Sequence, residues 1–225
     1  ALLADGSHMA THAGALSVSP VRATLSVRQG VNALTIRNEN NEPTVVQLEL
    51  MEWSQRDGED VYTPSREVIA TPPLFTVPAG GTQVVRVGLR RAPDAQRELS
   101  YRLYLQEVPP PQQPGSTGLR MAMRLGVPVF VLPQAATTPV LSWKATRTST
   151  GELELQVRNE GNVHVQFAHI SRNDENTKHH VNSYVLPGQS RSWKLGAAPA
   201  VGTSLRFVAS TDAGERAAEV SVEAP

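Results

Sequence analysis

Residues Leu119 to Val131 read Leu-Arg-Met-Ala-Met-Arg-Leu-Gly-Val-Pro-Val-Phe-Val, with a large apolar side chain at every odd position. A period of two places those side chains on one face of a β-strand. The strand is longer than the usual five or six residues. Two of its apolar residues, Met121 and Met123, are of the flexible kind found where a surface must fit more than one neighbour. Two readings stay open at this point. The face is the core of a sheet, or part of it is offered to another protein. Arg120 and Arg124 share the opposite face.

The rest of the chain punctuates itself in the same rhythm. Its 225 residues contain 17 Pro and 16 Gly, and few stretches carry a helical period, which favours an all-β fold rich in turns. Strands are expected over Leu16 to Val27, Ala33 to Arg37, Pro43 to Trp53, Val61 to Ile69 and Thr82 to Leu89, and then around Tyr101, Leu103 and Leu105. Pro20 inside the first of them marks an edge or a switch between sheets. With the long alternating strand this makes about seven strands at the turn spacing of a sandwich. Pro133 to Pro139 reads as a linker. Shorter strands follow at Leu153 to Arg158, Val163 to Ile170, Tyr184 to Leu186, Ser190 to Leu195, Ser204 to Ala209 and Ala217 to Val222. The reading is two tandem immunoglobulin-like β-sandwich domains, over 15–134 and 135–225. Gly6-Ser7-His8-Met9 resembles an expression-vector scar, so residues 1–14 are set aside as a tag or disordered segment.

Composition excludes several classes. Lys+Arg and Asp+Glu are both 21, which argues against a nucleic-acid partner. Cys is absent, so no disulfide framework, thiol nucleophile or Cys-based metal site exists. No apolar run of about 18 residues is present, so a membrane-embedded chain is not expected. No phosphate-binding Gly-rich loop appears. His164 and His169 are five apart and point opposite ways on a regular strand. His179 and His180 sit in a polar turn beside Asn182. None has metal-ligand spacing, and exposed histidines are expected. Neither an enzyme, a cofactor nor a metal is implied.

Arginines remain. Arg22 lies in the first strand, Arg86 in an apolar strand, Arg102 between Tyr101 and Leu103, and Arg124 in the long strand. Each is either the solvent side of a half-buried strand or a fork of donors suited to a carboxylate.

Several segments together resemble the periplasmic pilus chaperones of the PapD-like family. They are Leu34-Thr35-Ile36-Arg37-Asn38, Val68-Ile69-Ala70-Thr71-Pro72-Pro73, Glu107-Val108-Pro109-Pro110, the long strand, Asn159-Glu160-Gly161-Asn162 with Val163-His164-Val165, and Leu186-Pro187-Gly188-Gln189-Ser190. The match covers Leu16 to the C-terminus. The resemblance implies two immunoglobulin-like domains set at an angle and a cis bond at Thr71–Pro72. It implies a periplasmic chaperone that lends its long strand to a pilin or fimbrial subunit lacking one, then delivers the subunit to an outer-membrane usher. Chaperone–pilin pairing is an established case of strand addition. Leu119, Met121, Met123, Leu125 and Val127 would be the donor residues. The family's first-strand Arg maps onto Arg22. Its seventh-strand Lys, which holds the subunit's terminal carboxylate with that Arg, maps onto Pro128, so Arg86, Arg102 and Arg124 become candidate second donors. A basic residue between the family's domains maps onto Leu132. These departures imply a divergent, archaic-like branch, and the short loop before the donor strand disfavours the branch that builds capsule-like fibres. Two other readings are an immunoglobulin-like fibre subunit, which normally has one such domain, and a two-domain carbohydrate-binding or hydrolytic protein, which needs a polar or aromatic cleft with paired carboxylates.

Overall fold

The computed structural model describes residues 11–13, 16–109 and 122–225. All regular structure in them is β-strand. The first sheet runs in the order β1 (Thr11–Ala13), β2 (Leu16–Ser19), β4 (Val31–Asn38), β9 (Thr82–Leu89) and β7 (Val68–Thr71). The second runs β3 (Ala23–Leu25), β11 (Arg124–Val131), β10 (Leu99–Val108), β5 (Thr44–Arg56) and β6 (Glu59–Pro64), with β8 (Leu74–Val77) also pairing β5. A third ladder runs β15 (Lys178–Val185), β14 (Val165–Arg172), β17 (Ser204–Thr211), β18 (Gly214–Glu223), β12 (Leu141–Arg147), β13 (Glu152–Asn159) and β16 (Ser190–Ala197).

Alternation explains the cores. On β9, Val85 and Val87 are buried while Val84 and Arg86 face out. On β10, Tyr101, Leu103 and Leu105 point inward together. Leu34 and Ile36 of β4 meet them from the other sheet within one cluster. Burying a side chain of this size is worth roughly 1.5–3 kcal/mol, so these odd–even patterns fix which face of each strand is inside. The third ladder closes on its own core: Leu155 and Val157 of β13 share a cluster with Phe167 and Ile170 of β14 and Phe207 of β17.

Pro20 does what its missing N–H dictates. The strand stops at Ser19 in the first sheet, and the chain restarts at Ala23 in the second. Ser19–Pro20 and Thr71–Pro72 are both cis, the second as the family turn implies. The expected single strand over Val61 to Ile69 is instead two, β6 and β7. His179 and His180, expected in a turn, lie in β15.

A buried asparagine ends a strand in each domain. Asn38 donates from Nδ2 to the carbonyls of Glu42 (2.8 Å) and Val77 (3.1 Å) and accepts at Oδ1 from the N–H of Asn40 (3.0 Å). Asn159 donates to the carbonyls of Val163 (2.7 Å) and Val185 (3.0 Å) and accepts from the N–H of Gly161 (3.0 Å). Gly161 is obligatory for a local reason: a Cβ there would stand 2.1 Å from the Thr138 carbonyl oxygen.

The chain divides into two compact units. One comprises the described residues up to Trp53 with 62–94 and 99–132, and the other comprises 54–61, 95–98 and 133–225.

Candidate partner-binding edge

Strand β11 changes character along its length. Strand β10 pairs it throughout, from Gln106 opposite Arg124 to Leu99 opposite Val131. Strand β3 covers its other side only at Val129 to Val131, in parallel. From Arg124 to Pro128 that second side has no strand among the described residues. The direction of the backbone groups follows from two hydrogen bonds. Glu107 N–H donates to the Met123 carbonyl (2.9 Å), and Leu132 N–H donates to the Leu25 carbonyl (2.8 Å). Each residue of an antiparallel strand sends its N–H and C=O the same way, so odd residues face β10 and even residues face the β3 side. Arg124 and Gly126 therefore present both groups on the open edge, whereas Pro128 has no N–H to present and its carbonyl is turned to Ala23 of β3.

The side chains divide along the same strand. Leu125 is 8% exposed and Val127 is 1% exposed, and both belong to the core of their own domain, opposite Leu105 and Leu103. This narrows the expected donor face, because the first sheet already covers these two positions. Met123 is half-buried. Leu119 and Met121 lie outside the described residues.

The four arginines separate. Arg102 faces Pro128 directly across the β10–β11 ladder. Arg22, expected within the first strand, lies instead in the bend between β2 and β3; the next residue, Ala23, is the parallel partner of Val129, on the side of β11 opposite Arg102. Two guanidinium-bearing residues thus bracket the position where the resemblance misses a Lys. Arg102 lies over the Trp53 ring, with Cζ 4.8 Å from its centroid. Trp53 also stacks on Tyr62 (6.2 Å between centroids) and meets Phe130 at a tilt (5.9 Å), which fixes the platform. Gly126 leaves the needed space: a Cβ there would sit 3.1 Å from Tyr104 Cε1 and 3.4 Å from Arg102 Nε. Arg124 pairs with Glu49 at 2.6 Å and lies 3.8 Å over the Tyr104 ring. Both members of that pair are nearly half exposed, so it adds little stability. Arg86 is on β9 between Ala33 and Thr71, exposed on the other sheet.

One expectation is corrected. His164 is not at the surface: its side chain is 10% exposed and lies between the carboxylates of Glu98 and Asp212. Those partners are remote in sequence, Glu98 by 66 positions, so no local motif announces them.

The architecture defines an all-β, two-domain immunoglobulin-like protein with one strand half open along its edge. Family comparison carries this further. Residues 15–137 match the pili and flagellar-assembly chaperone PapD N-terminal domain, and residues 137–221 match the pili assembly chaperone PapD C-terminal domain. The chain belongs to the PapD-like family of pilus-assembly chaperones. Among solved structures it is similar to that of the CsuC–CsuE chaperone–tip adhesion subunit complex from archaic Csu pili of Acinetobacter baumannii, with TM-score 0.69 and 18% identity over 92% of this chain and 98% of that one. The YadV chaperone gives TM-score 0.68 and 19% identity over 91% and 99%. The Salmonella enterica SafA pilin–SafB chaperone complex gives 0.65 and 19% over 95% and 98%. At these identities the likeness is one of fold. No curated protein sequence matches the chain.

Proposed function

We propose that this chaperone binds pilin or fimbrial subunits in the periplasm by lending them β11 and the residues before it, and hands them to an outer-membrane usher. The open edge of Arg124 to Pro128 is the observation that carries this reading. A subunit short of one strand has unpaired backbone groups and an apolar groove, which is an aggregation hazard. The edge N–H and C=O groups of Arg124 and Gly126 answer the first need. Met123, with Leu119 and Met121 before it, answers the second, while Leu125 and Val127 hold the strand to its own domain. Solved complexes of similar chaperones with a tip adhesion subunit and with a pilin support this choice of partner.

Arg22 and Arg102 form the anchor for the subunit's terminal carboxylate in this proposal. They flank Pro128, and the Trp53 platform preorganises Arg102. The absence of a Lys at Pro128 supports grouping the chain with the divergent, archaic-like members. Co-expression with a neighbouring subunit gene, followed by co-purification, tests the reading. Arg22→Ala and Arg102→Ala should each stay folded and lose roughly 1.5–3 kcal/mol of subunit affinity, as expected for a hydrogen bond to a charged group. Wild-type capture by both variants would move the anchor to Arg124 or Arg86. Failure of the wild-type chain to retain any subunit would sink the proposal.

A further inference from the structure

The second unit contains a cluster of three titratable side chains, from buried Glu98 through part-buried His164 to exposed Asp212, that the subunit-binding reading does not use. His164, just before β14, has Nδ1 2.8 Å from Glu98 Oε1 and Nε2 3.3 Å from Asp212 Oδ2. Its backbone N–H also donates to Glu98 Oε1, at 3.1 Å. Asp212, in the turn between β17 and β18, accepts from the Gln166 N–H at 2.9 Å and returns its own N–H to the Gln166 carbonyl at 3.0 Å. The Tyr184 ring of β15 closes the remaining side at 5.7 Å between centroids. The Glu98 side chain is wholly buried, and its Oε2 has no hydrogen-bond partner among the described residues.

Neutral imidazole carries one N–H and one lone pair, whereas imidazolium carries two N–H groups. Both ring nitrogens of His164 face carboxylate oxygens. With both carboxyl groups ionised, the neutral ring would leave one nitrogen lone pair pointing at an anion, and only the cation satisfies both sides. We infer that His164 is held as an imidazolium and acts as a pH-sensitive latch, fastening residues 95–98 to the turns that precede β14 and β18. The latch reinforces weaker ties on the same segment. Glu98 N–H donates to the Asn162 carbonyl (2.9 Å), Asn162 Nδ2 donates to the Gln96 carbonyl (3.1 Å), and Ala135 N–H donates to the Ala95 carbonyl (3.0 Å). The chain runs from Glu98 straight into β10.

The energetics favour the same protonation state. Burial opposes charge on His164, but hydrogen bonds to Asp212 and Glu98 outweigh it and raise its pKa above the ordinary value. A group whose pKa is raised on folding contributes fully below its unfolded value, about 6.5 for His, and loses that contribution as pH rises through the folded value. The latch is therefore shut in acid and opens toward alkali.

NMR titration of the intact protein, with His164→Gln used to assign the signals, tests this directly. The His164 ring should be cationic at pH 7 and titrate above free histidine. Amide exchange at Glu98 and Asn162, corrected for intrinsic pH dependence, should quicken about tenfold or more across that titration. His164→Arg, which keeps a cation at every pH, should abolish this acceleration. A His164 ring that is neutral at pH 7, with the proton on Glu98 instead, would overturn the inference. So would protection at Glu98 that does not follow the His164 titration in the wild-type protein.

Discussion

The two domains share a device and differ in what they leave unfinished. Arg37-Asn38-Glu39 and Arg158-Asn159-Glu160 end equivalent strands, and each buried Asn makes the same three backbone bonds. The ladder of the second domain ends in β15 and β16, and each is paired along its inner side almost throughout. In the first domain, β11 is an interior strand at its C-terminal end and an edge strand at its N-terminal end. A common clamp therefore closes both sandwiches, and the edge proposed to engage a partner lies where pairing stops short.

That contrast can be broken most severely within β11 itself. Val127→Glu would bury an unpaired charge in the first core and should cost about 4 kcal/mol or more, read as early loss of the first domain in urea. Met123→Glu should leave that transition within about 1 kcal/mol of wild type while abolishing subunit capture. Equal destabilisation by the two would mean that the core extends to Met123 and the offered face is shorter than proposed.

The clamps come next. Asn38→Ala and Asn159→Ala each strand two carbonyls and one N–H, and each should cost about 3 kcal/mol. Urea unfolding should show the loss in the domain that carries the change. A far smaller cost at one site would show that the shared sequence does not perform the same task twice.

The smallest effects concern pH and should distinguish the domains. Asp174 is held below the usual carboxylate range by its hydrogen bonds to Arg172, whose guanidinium also donates to the carbonyls of Leu195 and Ala197. A depressed carboxyl contributes above its unfolded value, about 3.9, and that contribution is lost as pH falls through the folded value. With His164 acting in the opposite sense, the second domain should be most stable in mild acid, weakening toward alkali and again in strong acid. Melting curves from pH 3 to 9 check this, and Asp174→Asn should flatten the acid limb.

Much of the fold was legible wherever one face of a strand is buried. Thr82 to Leu89 was read to the residue, because Val85 and Val87 alternate with exposed neighbours. Strand β12 escaped, since among its residues Ala145 alone is fully buried and the pattern carries no strong period. Strand β8 escaped because it is four residues long, too short for a period to show. The open edge had a partial signal in the length of the alternating run. Which part of that face becomes core did not, because Leu125 and Met123 look equivalent until a second sheet covers one of them. Arg102 and Arg22 were both candidates, and only the register brings them to opposite sides of Pro128. His164 had no local signal, since its partners arrive from two other segments of the chain.

Pro128 gives the open edge a ruler. Gly126 is the last residue there with a hydrogen to donate, and β3 takes over at Val129. A visiting strand aligned with β11 can zip only as far as Gly126 before meeting a silent position, beyond which the next berth is occupied. Its phase is therefore counted from a fixed stop rather than found by sliding. Because a shift of one residue turns every side chain to the wrong face, this mark would let a strand of varied sequence be seated in one frame.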